Sequence, residues 1–208
     1  MVKNILYITA SAAIFFAGMV FYGVILNLKE VTLAEAMAEK GIAKIDNPKL
    51  KVDRKNYRIE LYSGDILVKT YKAVFGKNNN LVKTSSDDKV TPIGEYKICD
   101  KDSSVKYHKF LRLNYPNLYD AAEGLKRHYL TKDEYDAIVF SHKIRGCTPK
   151  ETHLGSEIGI HGIGKHDLIF RNLPFSFNWT NGSIAVSNEN VDELYYVLKI
   201  GTPVSITY

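Results

Sequence analysis

The sequence predicts a mainly β or α+β domain behind an N-terminal membrane helix. Three observations carry this. Ile5 to Leu26 holds no charged residue; at ~1.5 Å per residue such a helix crosses a ~30 Å hydrocarbon core. From Tyr57 onward, apolar residues recur with a period of two, the mark of half-buried strands. Near the C-terminus Val191, Leu194, Tyr195 and Leu198 recur at helical spacing, giving one short amphipathic helix.

The elements follow in order. Tyr7 and Tyr22 stand near the ends of the apolar run, where interfacial aromatics are common. The run exceeds the apolar region of a cleaved signal peptide, and no small-x-small site follows it directly, although "AEA" at Ala34–Ala36 is a late possibility. An uncleaved signal anchor over residues 1–27 is the expectation. Lys3 precedes the run and Lys29 follows closely, so charge bias only suggests a cytoplasmic N-terminus with the bulk of the chain outside. Thr32 with Glu35 three residues on forms a capping-box pattern, and Gly41 is a plausible stop. Residues 28–54 are therefore read as a stalk and linker, with a domain over 55–208.

"YRIELYSGDILVKTYKAVFG" alternates on both sides of Ser63-Gly64-Asp65, a hairpin signal. "KNNNLVKTSSDDK" is a polar surface loop, and "TPIGEYKI" and "KFLRLNYP" read as strands. "LYDAAEGLKRHY" and "TKDEYDAIVFS" suit short helices, and "EIGIHG" and "GSIAVS" short strands. Ser187 can cap the C-terminal helix, whose first turns carry Glu189, Asp192 and Glu193. Pro203 opens a last strand.

Composition narrows the classes. Of 208 residues, 45% are hydrophobic and 25% charged, with 14 Tyr and 9 Phe, so the chain as a whole is not disordered. The formal charge of +5 is spread among acids without a basic helix, which argues against nucleic-acid binding. The six His lack metal-ligand spacing. His142, His153 and His166 are read as surface or structural residues. Cys99 and Cys147 could pair in an oxidising compartment, but two unpaired, partly buried thiols are the favoured reading.

One constellation could carry chemistry. A catalytic thiol or hydroxyl needs a base for its proton and donors for the oxyanion formed by attack on a carbonyl. His161, at a strand end before Gly162, is placed like a base. In "NWTNGSIAV", Gly182 permits close backbone approach, and amides around Ser183 could serve an oxyanion. A Gly-Ser turn and a distant His are weak signals by themselves.

"IGIHG" followed by "NWTNGSIAVSNENVDELYYVLKIGTPVSI" resembles the signature of the YkuD-type L,D-transpeptidases. "RIELYSGDILVKTYKAVFGK", "TPIGEYKI", "LNYPN" and "THLGSEIGIHG" are similar to further family elements, so the resemblance covers about residues 55–208. The branch it matches carries a Trp-Thr-x-Gly-Cys-Ile-Ala motif. The resemblance implies a β-sandwich-like catalytic domain with short helices, without metal or organic cofactor. It implies cysteine attack on the diamino acid–D-Ala bond of a peptidoglycan stem tetrapeptide, through an acyl-enzyme. An amine acceptor then gives a 3-3 cross-link; water gives carboxypeptidase or amidase activity. Family members are typically acylated by carbapenems. The expected setting is a bacterial envelope, with the domain outside a cytoplasmic membrane crossed once, the partner peptidoglycan stem peptides, and the domain monomeric.

The family cysteine falls on Ser183. A thiol is readily converted to thiolate, whereas a hydroxyl needs a well-set base during attack. Asn181 and Ala185 stand where other branches carry His and Arg. Three readings are open: Ser183 as a slower nucleophile, a pseudoenzyme that binds stems without turnover, or an introduced Cys-to-Ser replacement. His161 is the expected base, Gly182, Asn181 and Thr180 the oxyanion and supporting residues, and Trp179 and Gly162 the cleft walls. Lys165 or Arg171 could meet a substrate carboxylate, and Cys147, in "IRGCTP", is a remote substitute nucleophile.

Overall fold

The computed structural model describes residues 2–27, 30–104, 106–173 and 176–208. Helix α1 spans Val2–Asn27. Within it Val2–Ile25 is long and apolar enough to cross a membrane by length and composition. Ile5, Phe15, Phe16 and Phe21 are all exposed, unlike the side chains of a buried core helix. Lys29, which bore on the direction of insertion, lies outside the described residues. Thr32 caps α2 (Leu33–Glu39) as its pattern predicts. The Glu35 carboxylate accepts the Thr32 N–H at 2.8 Å, and the Thr32 hydroxyl accepts the Glu35 N–H at 3.3 Å.

Strand β1 (Pro48–Asp53) lies where a linker was expected. Leu50 and Val52 are buried on either side of exposed Lys51, so "KLKVD" does alternate with period two. Its lysines and aspartate are the outer face of a strand. β2 (Arg58–Ser63) and β3 (Ile66–Lys72) form the expected hairpin, and Gly64 takes a φ of +58° in its turn. A register shift between Leu61 and Tyr62 breaks the alternation, leaving Val68 and Lys69 both buried. The Lys69 ammonium is satisfied by Glu193 at 2.7 Å.

The remaining elements are β4 (Gly94–Ser104), β5 (His108–Leu113), α3 (Leu118–Lys126), α4 (Lys132–Arg145), β6 (Gly159–Gly162), α5 (Asp167–Phe170), β7 (Ile184–Val186), α6 (Asn188–Val197) and β8 (Pro203–Thr207). The sheet order is β3-β2-β1-β8-β4-β5-β6-β7. β4 belongs to two ladders: Gly94–Lys97 pair with β8, and Ile98–Ser104 with β5. The chain beyond β3 then bonds to β7, with Val74 and Ala185 exchanging N–H···O bonds of 2.9 Å. The two ends of the sheet thus meet at this isolated bridge.

One buried cluster fills the space between the two halves. Leu50, Val52, Ile59, Leu61 and Tyr71 come from one half; Leu111, Leu113, Ile160 and Ile184 come from the other. Helix α6 adds Val191, Leu194 and Leu198, the stripe its periodicity predicts. Burying each such side chain stabilises the fold by about 1.5–3 kcal/mol.

Two corrections concern what folds back onto the sheet. Cys99 and Cys147 are joined in a disulfide, with Cα atoms 5.3 Å apart, contrary to the expectation of two unpaired thiols. The α3–α4 pair returns Cys147, just past the Gly146 cap, to the irregular point of β4 at Cys99. That juxtaposition, across 48 residues, has no local signal. Helix α5, in the spacer after His161, has no amphipathic period in its four residues and was not foreseen.

Candidate functional site

His161 is fixed by its strand. It pairs with Phe110 on one side and Ala185 on the other, and is 3% exposed. Its Nδ1 lies 2.7 Å from the Gly162 carbonyl oxygen. A carbonyl only accepts, so Nδ1 carries the proton and Nε2 keeps its lone pair. Burial pushes the imidazole down to about 4; the Gly162 carbonyl opposes this and nearby Lys106 adds to it. The ring is therefore neutral at neutral pH. Tyr107 lies 4.6 Å away, with Phe110 and Trp179 each 6.1 Å away, all measured between ring centres. This aromatic surround causes the desolvation.

Ser183 precedes β7 directly. In the parallel β6–β7 ladder Ile160 pairs with Ile184 and His161 with Ala185, which sets Ser183 beside Gly159. Paired residues share a face, and so do residues two apart, so His161 and Ser183 project to the same side of the sheet. Both line one cleft. The Ser183 hydroxyl donates to the Glu157 carbonyl at 3.1 Å and accepts the Gly159 N–H at 3.3 Å. In this resting arrangement its proton points at a backbone oxygen.

The turn before Ser183 is held from three sides. Asn178 Oδ1 accepts the Phe75 N–H at 2.9 Å. Thr180 exchanges backbone bonds with Phe75 and Lys77. The Thr180 hydroxyl donates to the Ser183 carbonyl at 2.6 Å and accepts the Gly182 N–H at 3.2 Å. Gly182 has a φ of +121°, and a Cβ there would lie 2.9 Å from the Val90 carbonyl oxygen. Both facts require glycine. The Gly182 amide, expected to serve an oxyanion, is thus already engaged by Thr180. Among the described residues, the Ser183 amide has no hydrogen-bond acceptor.

The cleft gathers His161, Trp179, Thr180, Asn181 and Ser183 from the sequence-predicted set. Gly162 and Gly182 lie behind it: Gly162 orients the imidazole, and Gly182 shapes the turn. Lys165 and Arg171 do not line it. Arg171 instead pairs with Glu189 at 2.8 Å. Lys106 and Lys150 line the cleft, opposite one carboxylate, Glu157. Sequence reasoning missed Lys106, Tyr107 and Lys150 because their loops carry no motif. Cys147 is consumed by its disulfide and is absent from the cleft lining. His142 is structural, its Nε2 lying 3.0 Å from the Pro116 carbonyl oxygen and 2.9 Å from the Thr148 hydroxyl. Among the described residues, no group of three His, Cys, Asp or Glu could hold a metal ion.

Among solved structures, the chain is similar to Bd1075 of Bdellovibrio bacteriovorus, with 21% identity and a TM-score of 0.48 over 78% of this chain and 48% of that one. An L,D-transpeptidase from Mycobacterium smegmatis matches at 10% identity and a TM-score of 0.47, over 78% of this chain and 59% of that one. The helical cell shape determining protein Pgp2 of Campylobacter jejuni (K307A mutant) matches at 17% identity and 0.47, over 84% and 54%. The chain spans about half the length of these proteins. No curated protein matches. The L,D-transpeptidase catalytic domain, YkuD, matches over residues 47–206, from just before β1 to within β8. Residues 47–206 therefore place this chain in the YkuD family of L,D-transpeptidase catalytic domains.

Proposed function

We propose that this chain acts on peptidoglycan in a bacterial envelope, receiving a stem tetrapeptide in the His161–Ser183 cleft and transferring its acyl group. The observation that carries the reading is the pairing of a neutral, desolvated imidazole with a hydroxyl on the same face of one cleft. As Ser183 Oγ bonds to the carbonyl carbon of the diamino acid, His161 Nε2 takes its proton. The oxyanion meets the Ser183 N–H. The C–N bond to D-Ala breaks, and the imidazolium returns its proton to the departing amine. An acceptor amine or water then attacks the ester, cross-linking in the first case and trimming in the second. Lys106 and Lys150 supply positive charge for the stem's carboxylates.

The domain is held outside the cytoplasmic membrane by α1 as an uncleaved, single-pass anchor. Its length, apolar composition and outward-facing side chains support this.

A second reading, binding without turnover, is favoured by one observation. The Ser183 proton is directed at Glu157, and His161 leans on a carbonyl rather than a carboxylate. A carboxylate is what stabilises the imidazolium in serine triads. The two readings separate when the full-length chain and its Ser183→Cys variant meet disaccharide-tetrapeptides in detergent and products are analysed by mass spectrometry. D-Ala release by both proteins supports Ser183 as nucleophile. Release by the variant alone supports a binding role on an intact scaffold. Two inert proteins that also fail to bind muropeptides would remove the peptidoglycan assignment.

A further inference from the structure

The anchor helix does not stop short of the domain. A Cβ on Gly23 would lie 1.7 Å from the Asn172 carbonyl oxygen, so only glycine lets α1 come this close. The chain beyond is fastened too. Asn190 Nδ2 donates to the Glu30 carboxylate at 2.9 Å, and the Leu33 N–H to the Glu193 carboxylate at 2.7 Å. Lys69 holds that same Glu193. The end of α1 is thus docked against the turn after α5, and the segment after it against α6.

This contact sets a depth. The unbroken apolar run ends at Leu26, before Asn27 and three residues past Gly23. At the helical rise that is about 4–5 Å along the axis. Backbone touching Gly23 therefore lies at the level of the last turn of the span, where hydrocarbon meets headgroups. The turn after α5 occupies that level, and α5 itself presents two adjacent aliphatic side chains, Leu168 and Ile169, which are 63% and 52% exposed. Exposed Lys165 precedes them. The acids nearby are accounted for: Asp167 is buried, and Glu189 pairs with Arg171. The backbone donors from Ile169 to Asn172 are paired as well. Ile169 and Phe170 N–H donate to the His166 carbonyl, Arg171 N–H to Asp167, and Asn172 N–H to Ile169. The Asn172 side chain donates to the Leu168 carbonyl at 2.6 Å. Pairing these groups lowers the cost of placing the segment in a layer poor in water.

We propose that α5 is a second membrane contact, with Leu168 and Ile169 seated at the acyl–headgroup boundary on the side of the bilayer where α1 ends. The occupant is lipid because the surface continues directly from the spanning helix, and its exposed cation, Lys165, suits anionic headgroups. The inference rests on reading α1 as a spanning anchor. Phe170 lies 5.8 Å from Trp179, which lies 6.1 Å from His161, so this contact is one aromatic layer behind the cleft wall. A bilayer gripping both α1 and α5 fixes the height and tilt of the cleft above the membrane.

The test uses the full chain with single introduced thiols carrying bimane, since the described cysteines are paired. Labels at Leu168→Cys and Ile169→Cys are compared with Ala17→Cys on α1 and Tyr119→Cys on exposed α3. The protein is reconstituted in phosphatidylcholine–phosphatidylglycerol vesicles, with doxyl lipid or aqueous iodide as quencher. Labels at 168 and 169 should be quenched by doxyl lipid at least about twofold more than the label at 119, and shielded from iodide. If both behave like the label at 119 while the label at 17 is quenched by lipid, the second contact is wrong and the anchor stands. If the label at 17 is also unquenched, the anchor reading falls and takes this inference with it. Shielding from iodide without lipid quenching assigns the surface to a protein and overturns the proposal.

Discussion

At His161, two neighbours act on two different ring atoms. The Gly162 carbonyl holds the proton on Nδ1, while the aromatic surround disfavours a second proton on Nε2. Its protonation midpoint, followed by NMR of the ring protons, should therefore fall near 4; a midpoint at 6 or above would contradict this placement. The sign for stability follows. The folded value is below the ordinary 6.5, so the unfolded chain binds the proton more readily. Stability from this residue is fully present above about pH 6.5 and is lost as pH falls toward 4, by at most about 3 kcal/mol. Urea titrations at both ends of that window should show a smaller pH slope for His161→Gln than for wild type. Gly182 is the other residue with a single-valued environment. Gly182→Ala should cost about 1–3 kcal/mol, because φ is +121° and Val90 stands in the way; an unchanged unfolding midpoint would refute that. His161, Ser183 and the turn between Asn178 and Ser183 were legible because each sits in a motif. The engagement of the Gly182 amide by Thr180 was not, because it depends on a hydroxyl rotamer.

At the scale of elements, legibility follows locality. The capped helices declare themselves in a few adjacent residues. The Thr131 hydroxyl accepts the Glu134 N–H at 3.2 Å, and the Glu134 carboxylate accepts the Thr131 N–H at 2.9 Å. Thr131→Ala should destabilise the protein by about 1 kcal/mol, as read from its urea midpoint. The β2–β3 hairpin was equally plain from Ser63-Gly64-Asp65. β1 was missed because lysines flank its buried Leu50 and Val52, and its parallel partner β8 lies at the other end of the chain. The disulfide was missed for the same reason on a larger scale. Cys99 and Cys147 meet only because α3 and α4 fold back, and the pair closes a long loop. A double Cys99→Ala, Cys147→Ala variant should lose about 2–4 kcal/mol in the chain-entropy picture; equal midpoints would show that the α3–α4 pair needs no tether. Such a bond also fits an oxidising, extracytoplasmic compartment.

On the scale of the whole molecule, the sheet's two ends meet beside the candidate site. Val74 to Lys77, just past β3, bond to Thr180 and Ala185 on either side of Ser183. The cleft is thereby built on paired backbone rather than on a free loop, which suits a site that must hold two groups in register. On one side of Trp179 lies the cleft with Ser183; on the other, Phe170 leads to α5 and the apolar helix α1. We propose that the His161–Ser183 pair forms an acyl-transfer site whose nucleophile position accepts a thiol. Covalent trapping tests it most directly. The full-length Ser183→Cys variant is incubated with a carbapenem and analysed by intact mass and peptide mapping, beside the Ser183→Cys, His161→Ala double variant. One adduct per chain is expected on the peptide containing residue 183 in the first protein, and its loss or severe slowing in the second. A folded Ser183→Cys protein that gains no adduct there, or gains it equally without His161, would contradict this assignment.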